Sequence, residues 1–241
     1  MEDLSIPKSV IRNNNKLLPD SIRACIVGKS GCGKTNLMMN LLLNDYLDND
    51  KLYIFYKSLH QPEYQKLIQG FENKIPKHLI SELIKTKLSE HMTKIGNGLS
   101  NIEIEYDSDC TTIPDPNELD SNKKNLIIFD DIMLQKQNKC EDYYTRGRHN
   151  NVDCFYISQN YTKLPRNTVR ENSNLFILFP QDSITLDNFH RDHCSDINKN
   201  EFKDMCKHIW NDPYNFVTVD MNAPLWNGRY RKNLNEFYIP L

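Results

Sequence analysis

Short apolar runs bounded by glycine, proline or acidic residues alternate along this chain with stretches whose apolar positions recur at helical spacing. Residues 22–27, 52–56, 125–131, 152–159 and 174–179 are mostly apolar without strict alternation, which predicts strands covered on both faces. Residues 102–106 alternate, and predict an exposed or edge strand. Residues 36–43 predict a helix. So do Tyr64, Leu67, Ile68 and Phe71 after Pro62, and the series Leu79, Leu83, Ile84 and Leu88, whose lysines fall mainly on the opposite face. Gly96-Asn97-Gly98 punctuates the pattern, 107–121 is an acidic, turn-rich connection with Pro114 and Pro116, and 165–173 predicts a short helical turn. Toward the end, 186–193 and 201–210 predict helices and 216–219 a strand, interrupted by Pro213 and Pro224. The alternation predicts an α/β fold: a mostly parallel central sheet with helices on both faces and a ligand at the carboxyl ends of the strands. One domain is expected over 21–241, with 184–241 as a C-terminal elaboration, after a flexible arm at 1–20 that carries Lys8, Arg12 and Lys16.

Composition narrows the class. With 39% hydrophobic and 26% charged residues over 241 positions, the chain reads as globular rather than disordered. No apolar run approaches the roughly twenty residues of a membrane span, and the first residues lack a basic region followed by an apolar one, so neither a span nor a secretory leader is expected. The seven cysteines are odd in number and form no C-x-x-C, which reads as reduced thiols. A net charge of −2 carries no global signal for nucleic acid, so any DNA contact would come from a local patch or an assembled pore.

The chemistry begins at Gly28-Lys29-Ser30-Gly31-Cys32-Gly33-Lys34-Thr35, a complete G-x-x-x-x-G-K-[ST] phosphate loop between a predicted strand and a predicted helix that opens at Asn36. Glycines let backbone N–H groups curl around phosphates, and the helix N-terminus adds positive potential. In that setting Lys34 reaches the β- and γ-phosphates of ATP and the Thr35 hydroxyl ligates Mg²⁺. The apolar run 125–129 ends in Asp130 and Asp131, the form of a Walker B strand. Asp130 is expected to hold the metal, and Asp131 to orient or deprotonate the attacking water. Gln159, at the tip of the next strand, suits a sensor of the γ-phosphate or the water. Arg146 and Arg148, one glycine apart, read either as a solvated helix end or as an arginine finger acting in a neighbouring subunit.

Beyond the phosphate loop, the run Thr145-Arg146-Gly147-Arg148-His149-Asn150-Asn151, the strand ending Ile157-Ser158-Gln159, Leu164-Pro165, Arg170-Glu171-Asn172 and the strand at 174–179 resemble the FtsK/HerA-type DNA-packaging ATPases. More narrowly the chain resembles the poxvirus-type branch, closest to the enzymes of Polinton (Maverick) elements and virophages, from about residue 20 to the closing Asn227-Gly228-Arg229-Tyr230-Arg231-Lys232. The resemblance implies an ATP- and Mg²⁺-dependent motor that threads double-stranded DNA into a preformed capsid, as a homo-oligomeric ring with sites between subunits. It implies capsid proteins at the packaging vertex as partners, and a place in the cytoplasm, nucleus or viral factory of a cell, or in the virion. One departure is Asp131, where much of the wider superfamily has Glu.

Two other readings of the whole stay open: a nucleotide-gated assembly factor, and a DNA-binding NTPase without motor activity. A GTPase switch is disfavoured, since Asn122-Lys123-Lys124-Asn125 lacks the carboxylate that would read guanine, and a small-metabolite kinase lacks an acceptor-site signature. His190, His193, Cys194, Cys206 and His208 have a spacing that would supply four zinc ligands, but they read more simply as helix-surface histidines and small buried cysteines. Arg229, Arg231 and Lys232 form the densest basic cluster near the end, read as a solvated face or a phosphate contact.

Overall fold

The structure, a computed structural model, describes residues 17–57, 61–86, 100–133 and 135–240, and at 148 and 149 the backbone. Leu88, the Gly96-Asn97-Gly98 break and residues 1–16 of the expected arm lie outside the described residues. In chain order the elements are β1 (Arg23–Val27), α1 (Lys34–Leu43), β2 (Lys51–Tyr56), α2 (Pro62–Glu72), α3 (Lys77–Lys85), β3 (Glu103–Asp107), β4 (Asn125–Asp130), α4 (Asn138–Thr145), β5 (Val152–Ser158), β6 (Leu175–Leu178), α5 (Ser183–His193), α6 (Lys199–Ile209), β7 (Val217–Asp220), β8 (Tyr230–Lys232) and β9 (Glu236–Tyr238). By compactness the chain divides into two units, Gly33–Ile157 and the remainder up to Cys32 and from Ser158 on.

In the unit Gly33–Ile157 the strands run β3-β2-β4-β5, all parallel. Every residue of β4 and β5 is buried, as a parallel strand covered on both faces requires. β3 is the edge. Its Glu103 and Glu105 are exposed, and Lys51 meets Glu105 at 2.5 Å while Lys123 meets Glu103 at 2.6 Å, so the free edge carries charge. α1 buries Leu37, Met38, Met39, Leu41, Leu42 and Leu43, nearly its whole circumference. α4 has a weak apolar pattern, and the sequence indicates only a helix end at Arg146 and Arg148. It folds because Cys140, Tyr143 and Tyr144 are buried, the Tyr143 ring 5.6 Å from that of Phe129 on β4.

In the other unit β1 pairs with β6 in parallel, and β7, β8 and β9 follow antiparallel. Asn174 pins the first two strands together: its Oδ1 accepts from the Arg23 N–H at 2.8 Å and its Nδ2 donates to the Ser21 carbonyl at 2.7 Å. α5 and α6 pack through stacked Phe189 and Phe202, with Phe176 of β6 edge-on against Phe189.

Within the basic cluster near the end, Arg231 has a different role from the expected one. Arg231 is fully buried, not solvated and not available to phosphate; its Nη2 donates to the equally buried Asp220 at 2.6 Å. Its other donors reach the carbonyls of Gly228, Leu234 and Leu17, which ties the end of the expected arm to β8; Leu18 is also buried. A guanidinium with five fixed donors is the side chain that holds three carbonyls and a carboxylate at once.

Candidate active site

β1 ends at Val27, and the Gly28 N–H donates to the Ser158 carbonyl at 3.1 Å. A Cβ on Gly28 would fall 2.5 Å from the Cys32 Sγ and 2.6 Å from the Phe179 Cβ, so only glycine fits. Gly31 and Gly33 have φ of +75° and +108°, a region that strains any L side chain. Gly33 is also the N-cap of α1, where no side chain caps the helix and no acidic residue stands in the first turn. The helix therefore starts with partial positive charge uncompensated by its own side chains, the setting in which backbone N–H groups bind an anion. Lys34 and Thr35 open the helix half-buried, while Lys29, Ser30, Gly31 and Asn36 are exposed. These features fit the phosphates of a nucleotide.

β4 delivers Asp130 at its last position, 7% exposed. The Tyr64 hydroxyl of α2 donates to its Oδ2 at 2.8 Å, and the Tyr64 ring, fully buried, lies 4.7 Å from that of Tyr56 at the end of β2. Burial pushes the Asp130 carboxyl up to about 6, against the pull of the Tyr64 hydrogen bond and the Lys34 charge and with the push of Asp131. Burial and the adjacent carboxylate hold the Tyr64 hydroxyl well above its ordinary range, so it stays a neutral donor. A buried carboxylate that is costly to ionise gains from a divalent cation, and Asp130 with Thr35 fits Mg²⁺ in that respect.

Asp131 leaves the strand at φ +54°, and its N–H donates to the Ile157 carbonyl at 3.1 Å. Aspartate is among the few non-glycine residues that enter this region readily, and the turn takes its carboxylate out of the alternation of β4. Gln159 stands exposed one residue beyond β5. The loop that starts there carries local hydrogen bonds: the Asn160 N–H donates to Ser158 Oγ at 3.1 Å, and Asn160 Oδ1 accepts from the Thr162 N–H at 2.9 Å.

Among the expected site residues, Lys34, Asp130 and Asp131 share one electrostatic neighbourhood. Arg146 is exposed and held by Asp142 at 2.9 Å and Asp115 at 3.4 Å; Arg148 lies in the short helical turn Gly147–Asn150. Arg170 pairs with Asp192 at 2.9 Å, and the Asn172 carbonyl accepts from Arg23 at 2.7 Å, so this stretch of the quoted run secures the sheet. Of the cysteine and histidine cluster, His190 Nε2 lies 2.8 Å from the Ile197 carbonyl, His193 packs among Phe176, Phe189 and Tyr161, and Cys194 and Cys206 are buried thiols. Among the described residues no group of three or more His, Cys, Asp or Glu side chains is placed to hold a metal. Tyr64 is the site residue that sequence reasoning passed over. Its spacing marked it only as part of an apolar helix face, and its partner lies 66 positions away.

The profile of the poxvirus A32 protein family matches residues 10–211. The chain belongs to the poxvirus A32 protein family. Strands β7 to β9 lie beyond the matched residues. No curated protein sequence matches the chain. Among solved structures it is similar to the genome packaging NTPase B204 of Sulfolobus turreted icosahedral virus 2 in complex with AMP, with a TM-score of 0.55 and 13% identity over 93% of this chain and 100% of that one. B204 of Sulfolobus turreted icosahedral virus, a DNA-packaging ATPase, matches with a TM-score of 0.54 and 14% identity over 92% and 98% of the two chains. VirB4 of Thermoanaerobacter pseudethanolicus matches with a TM-score of 0.51 and 11% identity over 89% of each. At such identities the likeness establishes the fold, that of a P-loop NTPase with a mixed, mostly parallel sheet. No helix among the described residues is long and apolar enough to cross a membrane.

Proposed function

We propose that this A32-family protein is an ATPase that drives double-stranded DNA into a viral or virus-like capsid. The observation that carries the reading is Lys34, first residue of α1 and last but one of the phosphate-loop motif, acting in charge on the buried Asp130 at the end of β4, with Asp131 next in the chain. Family membership and the fold shared with the packaging NTPase B204 select genome packaging among the uses of such a site.

Gly28, Lys29, Ser30, Gly31, Cys32, Gly33 and Asn36 line the loop that holds the nucleotide, and Lys34 carries the charge that pairs with its β- and γ-phosphates. Thr35 and Asp130 would hold Mg²⁺, which when bound neutralises charge on the phosphate oxygens. Asp131 accepts a proton from water as its oxygen attacks the γ-phosphorus; the bond to the β-phosphate bridging oxygen breaks, leaving ADP and phosphate. Tyr64 orients the Asp130 carboxylate through its hydrogen bond to Oδ2. Gln159 senses the γ-phosphate or the water, and Arg146 or Arg148 completes a neighbouring subunit's site in a homo-oligomeric ring, stabilising transition-state charge. The ATPase domain is taken as 21–241, with DNA and the capsid proteins of the packaging vertex as partners in the infected or element-bearing cell. Kinship closest to Polinton and virophage enzymes rests on the motifs quoted above.

The test is the ATPase rate of purified protein with and without double-stranded DNA. A motor shows Mg²⁺-dependent turnover that DNA stimulates, and the Lys34→Ala protein shows none. Slow turnover indifferent to DNA would instead favour the nucleotide-gated assembly factor.

A further inference from the structure

Among the described residues, the two most exposed large apolar side chains are Ile184, at 74%, and Tyr214, at 72%. Both stand on one rim of the unit that contains β1. Val27, Leu178 and Val217 form a single row across β1, β6 and β7, and β7 runs opposite to the other two. The residues just after Val27, just after Leu178 and just before Val217 therefore leave the sheet at the same edge. After Val27 comes the phosphate loop, after Leu178 come Pro180 and α5 with Ile184 near its start, and before Val217 comes Tyr214.

Side-chain contacts shorten the link. Gly28 lies against Phe179, whose ring centroid is 5.3 Å from that of Phe216, two residues from Tyr214. Trp210 donates from Nε1 to the Leu178 carbonyl at 3.1 Å, seating the end of α6 on the same rim. Tyr214 itself has φ +65°, a conformation that is a genuine outlier for a bulky residue. The loop on either side holds it there: Asn215 Nδ2 donates to the Ile209 carbonyl at 3.1 Å, and the Phe216 N–H donates to Asn233 Oδ1 at 3.2 Å. Strain kept beside a binding loop, with an aromatic ring left in solvent, points to a ligand face.

We infer that Tyr214, with Ile184 on the same rim, is the stacking platform for the purine base of the nucleotide whose phosphates the Gly28–Thr35 loop holds. The inference rests on the nucleotide-site reading above. Every base offers a π-face, so a tyrosine ring suits it, and the ring would move from water to the base on binding.

Titration calorimetry of the full chain with Mg²⁺ and either a non-hydrolysable ATP analogue or inorganic tripolyphosphate separates the two readings. Tyr214→Asn removes the ring while tolerating the positive φ. It is expected to weaken the analogue about tenfold, the scale of one base–aromatic stack, and to leave tripolyphosphate affinity unchanged. Equal affinities of wild type and variant for the analogue overturn the stacking role and leave the phosphate site standing, and so does a loss that is the same for both ligands. Failure of wild type to bind either ligand overturns the nucleotide site itself. Tyr214→Trp, made with Trp226→Phe, keeps a ring at the position and supplies a readout independent of the asparagine variant's folding. Its emission, taken as the difference from Trp226→Phe protein that keeps only Trp210, is expected to be quenched by the analogue and not by tripolyphosphate; an equal response to both overturns the proposal.

Discussion

Asp130 joins structure to chemistry at the scale of one residue. Its carboxyl sits at about 6 in the fold, against 3.8 unperturbed, because burial outweighs Tyr64 and Lys34. The folded state therefore holds its proton to higher pH than the unfolded chain, so this contribution to stability is fully present below about pH 4 and is lost as pH rises through about 6. In metal-free protein at pH 7, Asp130→Asn is expected to raise unfolding stability by about 1–3 kcal/mol, with no gain at pH 4, while Mg²⁺-dependent turnover disappears; urea curves at the two pH values check it. Asp131→Asn makes a clean comparison because asparagine also tolerates φ +54°. It should retain ATP binding and lose turnover by on the order of 10²-fold or more, as for removal of a general base. If ATP affinity collapses equally in both variants, Asp131 is a metal ligand and not the base. Lys34→Ala is expected to abolish hydrolysis and strongly weaken ATP binding with the fold intact by circular dichroism, since it removes the charge paired with the β- and γ-phosphates.

Among elements, the antiparallel extension β7-β8-β9 depends on a buried ion pair. Arg231 and Asp220 are both fully buried, and Arg231 also holds three carbonyls, including that of Leu17. Removing one partner leaves a buried charge uncompensated, so Arg231→Ala is expected to cost roughly 3–5 kcal/mol, read as a shift in the urea midpoint. A phosphate contact would instead change the salt dependence of DNA binding and leave that midpoint in place. The element pattern was legible wherever burial is continuous. Residues 22–27, 125–131 and 152–159 became β1, β4 and β5 within a residue or two, because strands covered on both faces have to be apolar throughout. α4, β8 and β9 were not legible. β8 and β9 are three residues each, too short for a period, and α4 buries only Cys140, Tyr143 and Tyr144 among polar residues, so long-range partners such as Phe129 and Asp220 decide them.

At the scale of the whole molecule, the proposed ring makes a prediction about shared sites. Arg146 is engaged by Asp142 and Asp115 within its own chain, so a role in a neighbouring subunit requires it to exchange those partners for phosphate. Arg146→Ala and Arg148→Ala are each compared with wild type, and at least one should spare ATP binding while costing roughly 10³-fold or more in turnover, the scale of an arginine finger. Mixed with Lys34→Ala protein, that variant should regain part of the activity, because some interfaces then pair an intact phosphate loop with an intact arginine. No recovery for either arginine, with subunit exchange demonstrated by labelled protein, removes both from the trans role.

The sequence alone determined the phosphate loop, the strand tips that carry Asp130, Asp131 and Gln159, and the α/β class. These are local: glycine spacing, continuous apolar runs and the residue that ends each run are written in consecutive positions. Tertiary structure decided what is not local. It placed the Tyr64 hydroxyl against Asp130 across 66 positions, and buried Arg231, which the sequence presents as one more basic residue in an exposed cluster. It also left the Tyr214 ring in water on the sheet edge from which Gly28 leaves β1. The physical reason is common to all three: a titratable or aromatic side chain takes its role from desolvation and from its partner, and both are set by segments distant in sequence.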